Sequence, residues 1–419
     1  MNAHRKNRSR SLRVVAVATV TATVGLGLFA GPAFAKHKPK PLPSSYTVVA
    51  YGLDNPRGIG IHDHNRVWVA EAGEGGTECT DIDLGEQTCF GFTGAITLIK
   101  DADKKKKSPT VQRVITGLLS AAKADGTRAT GIDGIDLRHR NEMFGVVAGS
   151  SEGFSADLAN FDAAALPSVE LTAAVNNYAG RLIRIRKLEP PKKKTAQLTA
   201  VTNVGSTNWA WSDTNKSEAW APSDFPDSNP YDVVTSGNRQ WVVDAGTNTV
   251  IEVRRKDGVV TQKVLAYLPN TDTADAAPTC IARKGDYLYI GTWNAYGTAG
   301  VLGSRVYRVS TKADPVNFLT NATVWAEGFN PISACGFGPK GFYVVEFMTA
   351  TSSMTNGAIV RVTLNTGNVA GARETFGTNL VQPGGFAAHG NAIYVSNYST
   401  FPGAANATDP GGQVVRFKI

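Results

Sequence analysis

DSNPYDVVTSGNRQWVVDAGTNTVIEVRRKDGVVTQKVLAYL, residues 227–268, decides the fold. It contains four short runs, YDVVTS, QWVVD, TVIEVRR and VVTQKVLAYL, rich in Val, Ile, Tyr and Trp and separated by Gly-Asn, Ala-Gly-Thr-Asn and Asp-Gly. Side chains of this kind fit a pleated, half-buried surface, and the separators are turn-forming sequences. The stretch therefore predicts one four-stranded antiparallel unit.

The unit recurs at a spacing of about 50 residues, the mark of a stacked architecture. A Pro opening the first strand and an aromatic residue in the second recur as Pro56/Trp68, Pro230/Trp241, Pro278/Tyr289, Pro331/Tyr343 and Pro383/Tyr394. A sixth copy lacks the Pro and runs from Gly131-Ile-Asp133 to Phe144. Third strands follow in each copy: GAITLIK, GRLIRIR, TVIEVRR, SRVYRVS, GAIVRVT and GQVVRFK. Six such sheets predict an all-β, six-bladed β-propeller over residues 46–419. The last copy ends at Ile419 on its third strand, whereas an orphan strand, SYTVVAYGL, precedes Pro56. Pairing of this N-terminal strand with the C-terminal blade closes the ring and removes two open edges.

Residues 1–35 read as a secretory signal: Arg5, Lys6, Arg8, Arg10 and Arg13 precede the apolar run VVAVATVTATVGLGLFA, and Ala33-Phe-Ala35 supplies the small residues of a cleavage site. The expected location is secreted, with no membrane-spanning segment after cleavage. Residues 36–45, KHKPKPLPSS, form a basic Pro-rich leader. Without the five basic residues that precede Lys36, 43 Lys and Arg become 38 against 35 Asp and Glu, a balance of about +3. That balance argues against a nucleic-acid partner. Four cysteines in an exported chain point to disulfides. Cys79 and Cys89 share one loop, and a bridge between them is expected. Cys280 and Cys335 occupy similar places in neighbouring copies, which fits either a cross-blade bridge or two buried thiols.

Strand alternation sends all the long links, residues 71–94, 149–179, 205–229, 292–303, 347–356 and 397–412, to one end of the propeller, the loop face, where a site is expected. His62, His64, His139 and His389 fall on the opposite, short-turn face in three different blades, which excludes a shared imidazole-held metal and a Ser-His-Asp triad. The short-turn face also carries lysine runs at Lys104 and Lys192, read as solvated turns or as contacts for an acidic cell-surface polymer.

Glu71, Asp244, Glu346 and Asn397 close the second strands VWVAE, WVVD, YVVE and YVSN, and Arg57, Asp133, Asp136, Asn229 and Asp232 open first strands. Converging oxygens of this kind could hold calcium, with Glu71, Asp133, Asp232, Asp244 and Glu346 as the ligands, and a calcium site can activate water for hydrolysis. The competing reading is that the second-strand acids accept backbone hydrogen bonds and repeat because the blade repeats. Residues 149–179 are Ala-rich, with a short helix expected before Pro167. Trp209, Trp211, Trp220 and Phe225 then crowd one loop, either as an aromatic lid over a flat or sugar-like ligand or as rings that bury one another.

LDNPRGIGI…VWVAEAG, CFGFTGAIT, DSNPYDVV…VVDAGTN and PTCIA…YIGTW…SRVYRV together resemble the ScyD/ScyE family of exported proteins over nearly the whole mature chain. Beyond the Asp54-Asn-Pro-Arg57, Cys89-Phe-Gly91 and Asp227-Ser-Asn-Pro-Tyr231 segments, the likeness extends to any propeller of the NHL or gluconolactonase-like kind. The resemblance implies a six-bladed propeller outside the cytoplasm and brings no settled catalytic residues. Relatives tend to carry a His in the segment that reads TGIDGIDL here, so an imidazole-based activity is not carried over to Asp133. Three function classes follow. The first is a secreted binding or scaffold protein recognising a small ligand, glycan or partner protein on the loop face through residues such as Arg57, Asn229, Trp209, Trp211 and Asn397. The second is a calcium-assisted hydrolase or lactonase, and the third is an accessory protein of an extracytoplasmic pathway.

Overall fold

The computed structural model describes residues 45–63, 65–80, 87–104, 107–161, 166–188, 196–271, 274–294, 303–349, 356–403 and 411–419. The expected signal segment (1–35), the expected leader up to residue 44, His64 and Lys192 lie outside the described residues. Six antiparallel sheets surround one axis, as the repeats predict. Blade 3 runs through Pro230–Ser236, Arg239–Asp244, Thr249–Lys256 and Val259–Tyr267, matching the four runs read from residues 227–268. The inner strands are Pro56–Asp63, Ile132–His139, Pro230–Ser236, Pro278–Lys284, Ile332–Gly338 and Phe386–His389, and each touches the next around a closed ring.

Closure follows the expected route. Thr47–Leu53 pairs antiparallel with Gly412–Lys418, with Thr47 opposite Arg416 and Leu53 opposite Gly412. Val49, Ala50 and Leu53 enter a core shared with Val67, Val69 and Val414 of blades 1 and 6. The second strand of each blade buries one aromatic in its own core cluster: Trp68, Phe144, Trp241, Tyr289, Tyr343 and Tyr394 are all 1% exposed or less.

Both disulfides form. Cys79–Cys89 clamps the base of blade 1's outer hairpin, and Cys280–Cys335 ties the inner strand of blade 4 to that of blade 5. Two bridges fit an oxidising compartment outside the cytoplasm. Among the described residues no helix is long and apolar enough to cross a membrane.

The hairpin of blade 1 and two further helices go beyond the expected loops, and the helix expected before Pro167 forms. The third strand of blade 1 begins at Thr88, so that CFGF extends a hairpin of Thr88–Lys100 with Thr110–Lys123 instead of forming a loop. Residues 149–179 hold two helices, α1 (Ser151–Leu158) and α2 (Val169–Tyr178), capped by the hydroxyls of Ser150 and Ser168. A third helix, α3 (Val204–Asn215), starts at the Asn203 side-chain cap in the Trp-rich loop.

Candidate functional site

The repeat geometry concentrates polarity at the axis. In blades 1 to 5 the pairing of the inner strand with its neighbour slips near the start of the inner strand: between Pro56 and Ile59, Ile132 and Ile135, Pro230 and Asp232, Pro278 and Cys280, and Ile332 and Ala334. A bulge leaves its extra residue unpaired and re-aims the side chain. The bulges carry Arg57, Asp133, Tyr231, Thr279 and Ser333, and all five line one axial cavity of about 270 Å³. Blade 6 contributes Gly384 and Gly385 at this level, where a Cβ on Gly385 would collide with the Arg57 carbonyl. Toward the short-turn face the lining mixes Ile59, Ile135, Ile281 and Phe386 with Asp136 and Arg283.

Carboxylates dominate the polar end. Arg57 Nε lies 3.2 Å from Asp133 Oδ1, and a terminal nitrogen of Arg57 donates to the Ala129 carbonyl at 2.5 Å. Arg57 Nε and Asp133 Oδ1 are nonetheless buried atoms with no aligned hydrogen-bond partner among the described residues. Asp136 accepts the Thr235 amide at 2.6 Å, and Asp232 accepts the amides of Val233 at 2.8 Å and Ile281 at 3.0 Å. Each of these two aspartates thereby latches its blade to the next. Gly134 permits the close approach, since a Cβ there would strike Asp232.

Burial sets the protonation of this ring. It pushes the Asp133 carboxyl up to about 6 against the pull of Arg57, and Asp136 up to about 6 against its amide bond. Asp232 rises to about 7, driven by burial and the charges of Asp136 and Asp133 and opposed by its two amide bonds. Tyr231 is raised to about 12 by burial, so it stays a hydroxyl donor. At neutral pH the axis presents the Arg57 guanidinium, three carboxyls close to titration and the hydroxyls of Tyr231, Thr279 and Ser333, the last two already donating to the Ile332 and Val345 carbonyls and so left as acceptors. This set can bind hydroxyl groups from both sides and exchange protons with a ligand.

A folded-state value above the ordinary 3.8 means that the native protein holds the proton more tightly than the unfolded chain. The contribution of Asp136 to stability is therefore full below about pH 4 and is lost as pH rises through about 6. Asp136→Asn mimics the neutral acid and still accepts from the Thr235 amide. It is expected to raise the melting temperature at pH 8 by the equivalent of roughly 1–3 kcal/mol and to leave it unchanged at pH 4. A difference between variant and wild type that does not vary with pH would contradict the burial account.

The five carboxylates expected to hold calcium are not brought together. Asp133 and Asp232 line the axis, whereas Glu71, Asp244 and Glu346 are buried at the ends of second strands, each engaged by its own blade. Glu71 accepts from the Asp54 amide, the Thr97 hydroxyl and Arg113. Asp244 accepts from the amides of Asn229, Gly246 and Thr247, the Ser228 hydroxyl and the Asn208 side chain. Glu346 accepts the amide and side chain of Asn330, and its carboxyl is raised by burial. Asn397 repeats the pattern by accepting the Val381 amide at 2.7 Å. These residues clasp the link into the first strand, the competing reading of the sequence. Among the described residues no three His, Cys, Asp or Glu are arranged to hold a metal ion, so the donor set does not fit the calcium expectation and no step is routed through a cation.

The remaining candidates sit off the axis. Asn229 accepts the Gly149 amide at 3.0 Å and orders two loops. Trp211 packs against Trp220, Phe225, Tyr267 and Phe318 at the rim between blades 3 and 4. Trp209 lies against Gly153 of α1. His62, His139 and His389 end inner strands on the short-turn face. Tyr231, Thr279 and Ser333 escaped the sequence reading, although each follows the residue paired with the end of a second strand. In blade 5 that paired residue is Ile332, one position beyond the Pro, which hid the equivalence.

No protein-family model matches the chain, and no curated protein matches its sequence. Solved structures of propeller proteins do match in shape. The PQQ-bound aldose sugar dehydrogenase of Streptomyces coelicolor aligns at TM-score 0.48 and 9% identity over 90% of this chain and 99% of that one. A putative glucose-dehydrogenase-type oxidoreductase of Thermus thermophilus aligns at 0.47 and 11% over 89% and 99%. The Malassezia sympodialis allergen Mala s 1 aligns at 0.46 and 13% over 90% and 96%. The likeness is one of fold.

Proposed function

We propose that the protein is an exported binding propeller of the ScyD/ScyE type whose site is the axial cavity, and that its ligand is a small, hydroxyl-rich molecule of about monosaccharide size. One observation supports this reading: bulges in five blades bring Arg57, Asp133, Tyr231, Thr279 and Ser333 to the lining of one cavity, with the facing atoms of Arg57 and Asp133 lacking aligned partners. Fixed donors and acceptors among apolar side chains are the usual makeup of a small-ligand site. The near-neutral carboxyls supply both donors and acceptors for vicinal hydroxyls.

The test is a thermal-shift and calorimetric series on residues 36–419 with glucose, galactose, mannose, glucosamine and glucuronate. Saturation at a hundred times the dissociation constant adds about 2.7 kcal/mol. At least one neutral or amino sugar is expected to raise the melting temperature, and Ser333→Ala and Asp136→Asn are each expected to weaken that binding about tenfold, the loss of one hydrogen bond to the ligand. No shift with any of the five probes, or a shift that neither variant alters, would overturn the proposal.

A further inference from the structure

Two grooves on the short-turn face, one on blade 2 and one between blades 2 and 3, meet at shared residues. The first, about 400 Å³, is lined by Arg138, His139, Glu142, Arg186 and Lys187 among others. The second, about 280 Å³, is lined by Gln240, Asn238, Arg255 and Asp257. Arg138 and Arg184 line both grooves and form the ridge between them. This surface is separate from the axial cavity and from the Lys104 turn, where Asp101 takes up both Lys104 and Lys107.

The ridge is built. Glu142, 2% exposed, lies beneath it and is engaged by Arg138 at 3.3 Å, His139 at 3.2 Å and Arg184. Arg184 also covers the face of Phe144, 5.9 Å from its centroid. One carboxylate thus fixes two guanidinium groups and neutralises only one of them. On either side stand Arg186, Lys187 and Arg255, and among the described residues no carboxylate pairs with any of them. The lining holds five permanent cations against Glu142 and Asp257. Four of the five are arginines, whose planar forks match the oxygens of carboxylate and sulfate groups.

A second feature narrows the ligand. Gln240, 1% exposed, has an Oε1 with no hydrogen-bond partner among the described residues and lines the second groove. An orphaned acceptor asks for a donor, which a bare anion lacks and a sugar hydroxyl supplies. We propose that this double groove binds a stretch of an acidic polysaccharide, with its carboxylate or sulfate groups on Arg138, Arg184, Arg186 and Arg255 and a ring hydroxyl donating to Gln240 Oε1. The propeller then carries two independent sites, a small-ligand site on the axis and a polymer-docking surface on the short-turn face of blades 2 and 3.

Retention of residues 36–419 on immobilised polygalacturonate and heparin, with dextran and inorganic polyphosphate as comparison matrices, tests the proposal. The wild type is expected to bind both acidic polysaccharides with an affinity that falls as salt rises, and to ignore dextran. The double variant R186Q/R255Q alters two side chains outside the core and is expected to lose at least tenfold in affinity, while K104Q/K107Q loses less than twofold. Gln240→Met is expected to weaken the polysaccharides several-fold and leave polyphosphate unchanged, because polyphosphate offers no hydroxyl. Its circular dichroism melt checks that the variant is folded. Failure of the wild type to bind either polysaccharide, or equal losses in the two double variants, would overturn the proposal without bearing on the axial site.

Discussion

A chain that begins at Asp54 is expected to fail to form a cooperative propeller, whereas one that begins at Lys36 folds. The missing segment is the fourth strand of blade 6, paired from Thr47 to Leu53 with the C-terminal strand. Val49, Ala50 and Leu53 are 5%, 2% and 1% exposed, and the ring of Tyr46 meets that of Phe417 edge-on at 5.5 Å. Burying the Val and Leu side chains contributes about 1.5–3 kcal/mol each, and the lost ladder bonds about 1 kcal/mol apiece. Their sum approaches the 5–15 kcal/mol that holds a typical folded protein together. The loss also exposes Gly412–Lys418 as a free edge, so aggregation accompanies unfolding. Circular dichroism melts and limited proteolysis of the two chains check this. A cooperative melt of the shorter chain within a few degrees of the longer one would show that the ring does not depend on this closure.

Removing the Cys280–Cys335 bridge is expected to produce the next largest effect. The bridge spans 55 residues, so the chain-entropy estimate of its contribution is about 4 kcal/mol, against roughly 3 kcal/mol for Cys79–Cys89 with its separation of 10. The longer bridge also holds blade 4 against blade 5 at the height of Thr279 and Ser333, two of the axial side chains. C280A/C335A is therefore expected to lower the melting temperature by about 5 °C and to weaken the axial site, whereas C79A/C89A lowers it less and leaves the axial site intact. Melts of both variants with and without reductant check the order, and a larger loss from C79A/C89A would contradict it.

The blade plan was legible because its signals are local. Val, Ile and aromatic runs bounded by Gly, Asn and Asp repeat six times, and the orphan strand before Pro56 has one open edge to fill. Alternation along the strands also assigns the long links to one end. The helices were less legible. The short helix expected before Pro167 forms as α1; α2 buries one face, Leu171, Ala174 and Val175, against Phe90 and Leu119, whereas α3 follows Asn203 without an apolar stripe that the sequence could show.

The site divided along the same line. Arg57, Asp133 and Asp232 were named from their place at the start of inner strands; the bulges carry the first two to the axis, and Asp232 follows the bulged Tyr231 in the lining. Glu71, Asp244 and Glu346 have the same kind of side chain at an equally regular place, yet their oxygens are consumed by backbone amides one link away. Residue type and spacing do not separate a carboxylate that faces the axis from one that clasps a turn. The distinction rests on a one-residue slip in strand pairing, which leaves no compositional trace. Tyr231, Thr279 and Ser333 share no chemistry beyond a hydroxyl, and only their common register relates them.

The central claim, that the ligand sits on the axis, is tested most directly by calorimetric titration of the best-binding sugar into wild type, Ser333→Ala and Trp209→Ala. The account predicts binding by the wild type, about tenfold weaker binding by the axial variant and unchanged binding by Trp209→Ala, whose ring lies against α1. A loss confined to Trp209→Ala would place the ligand on the loop face and contradict the account.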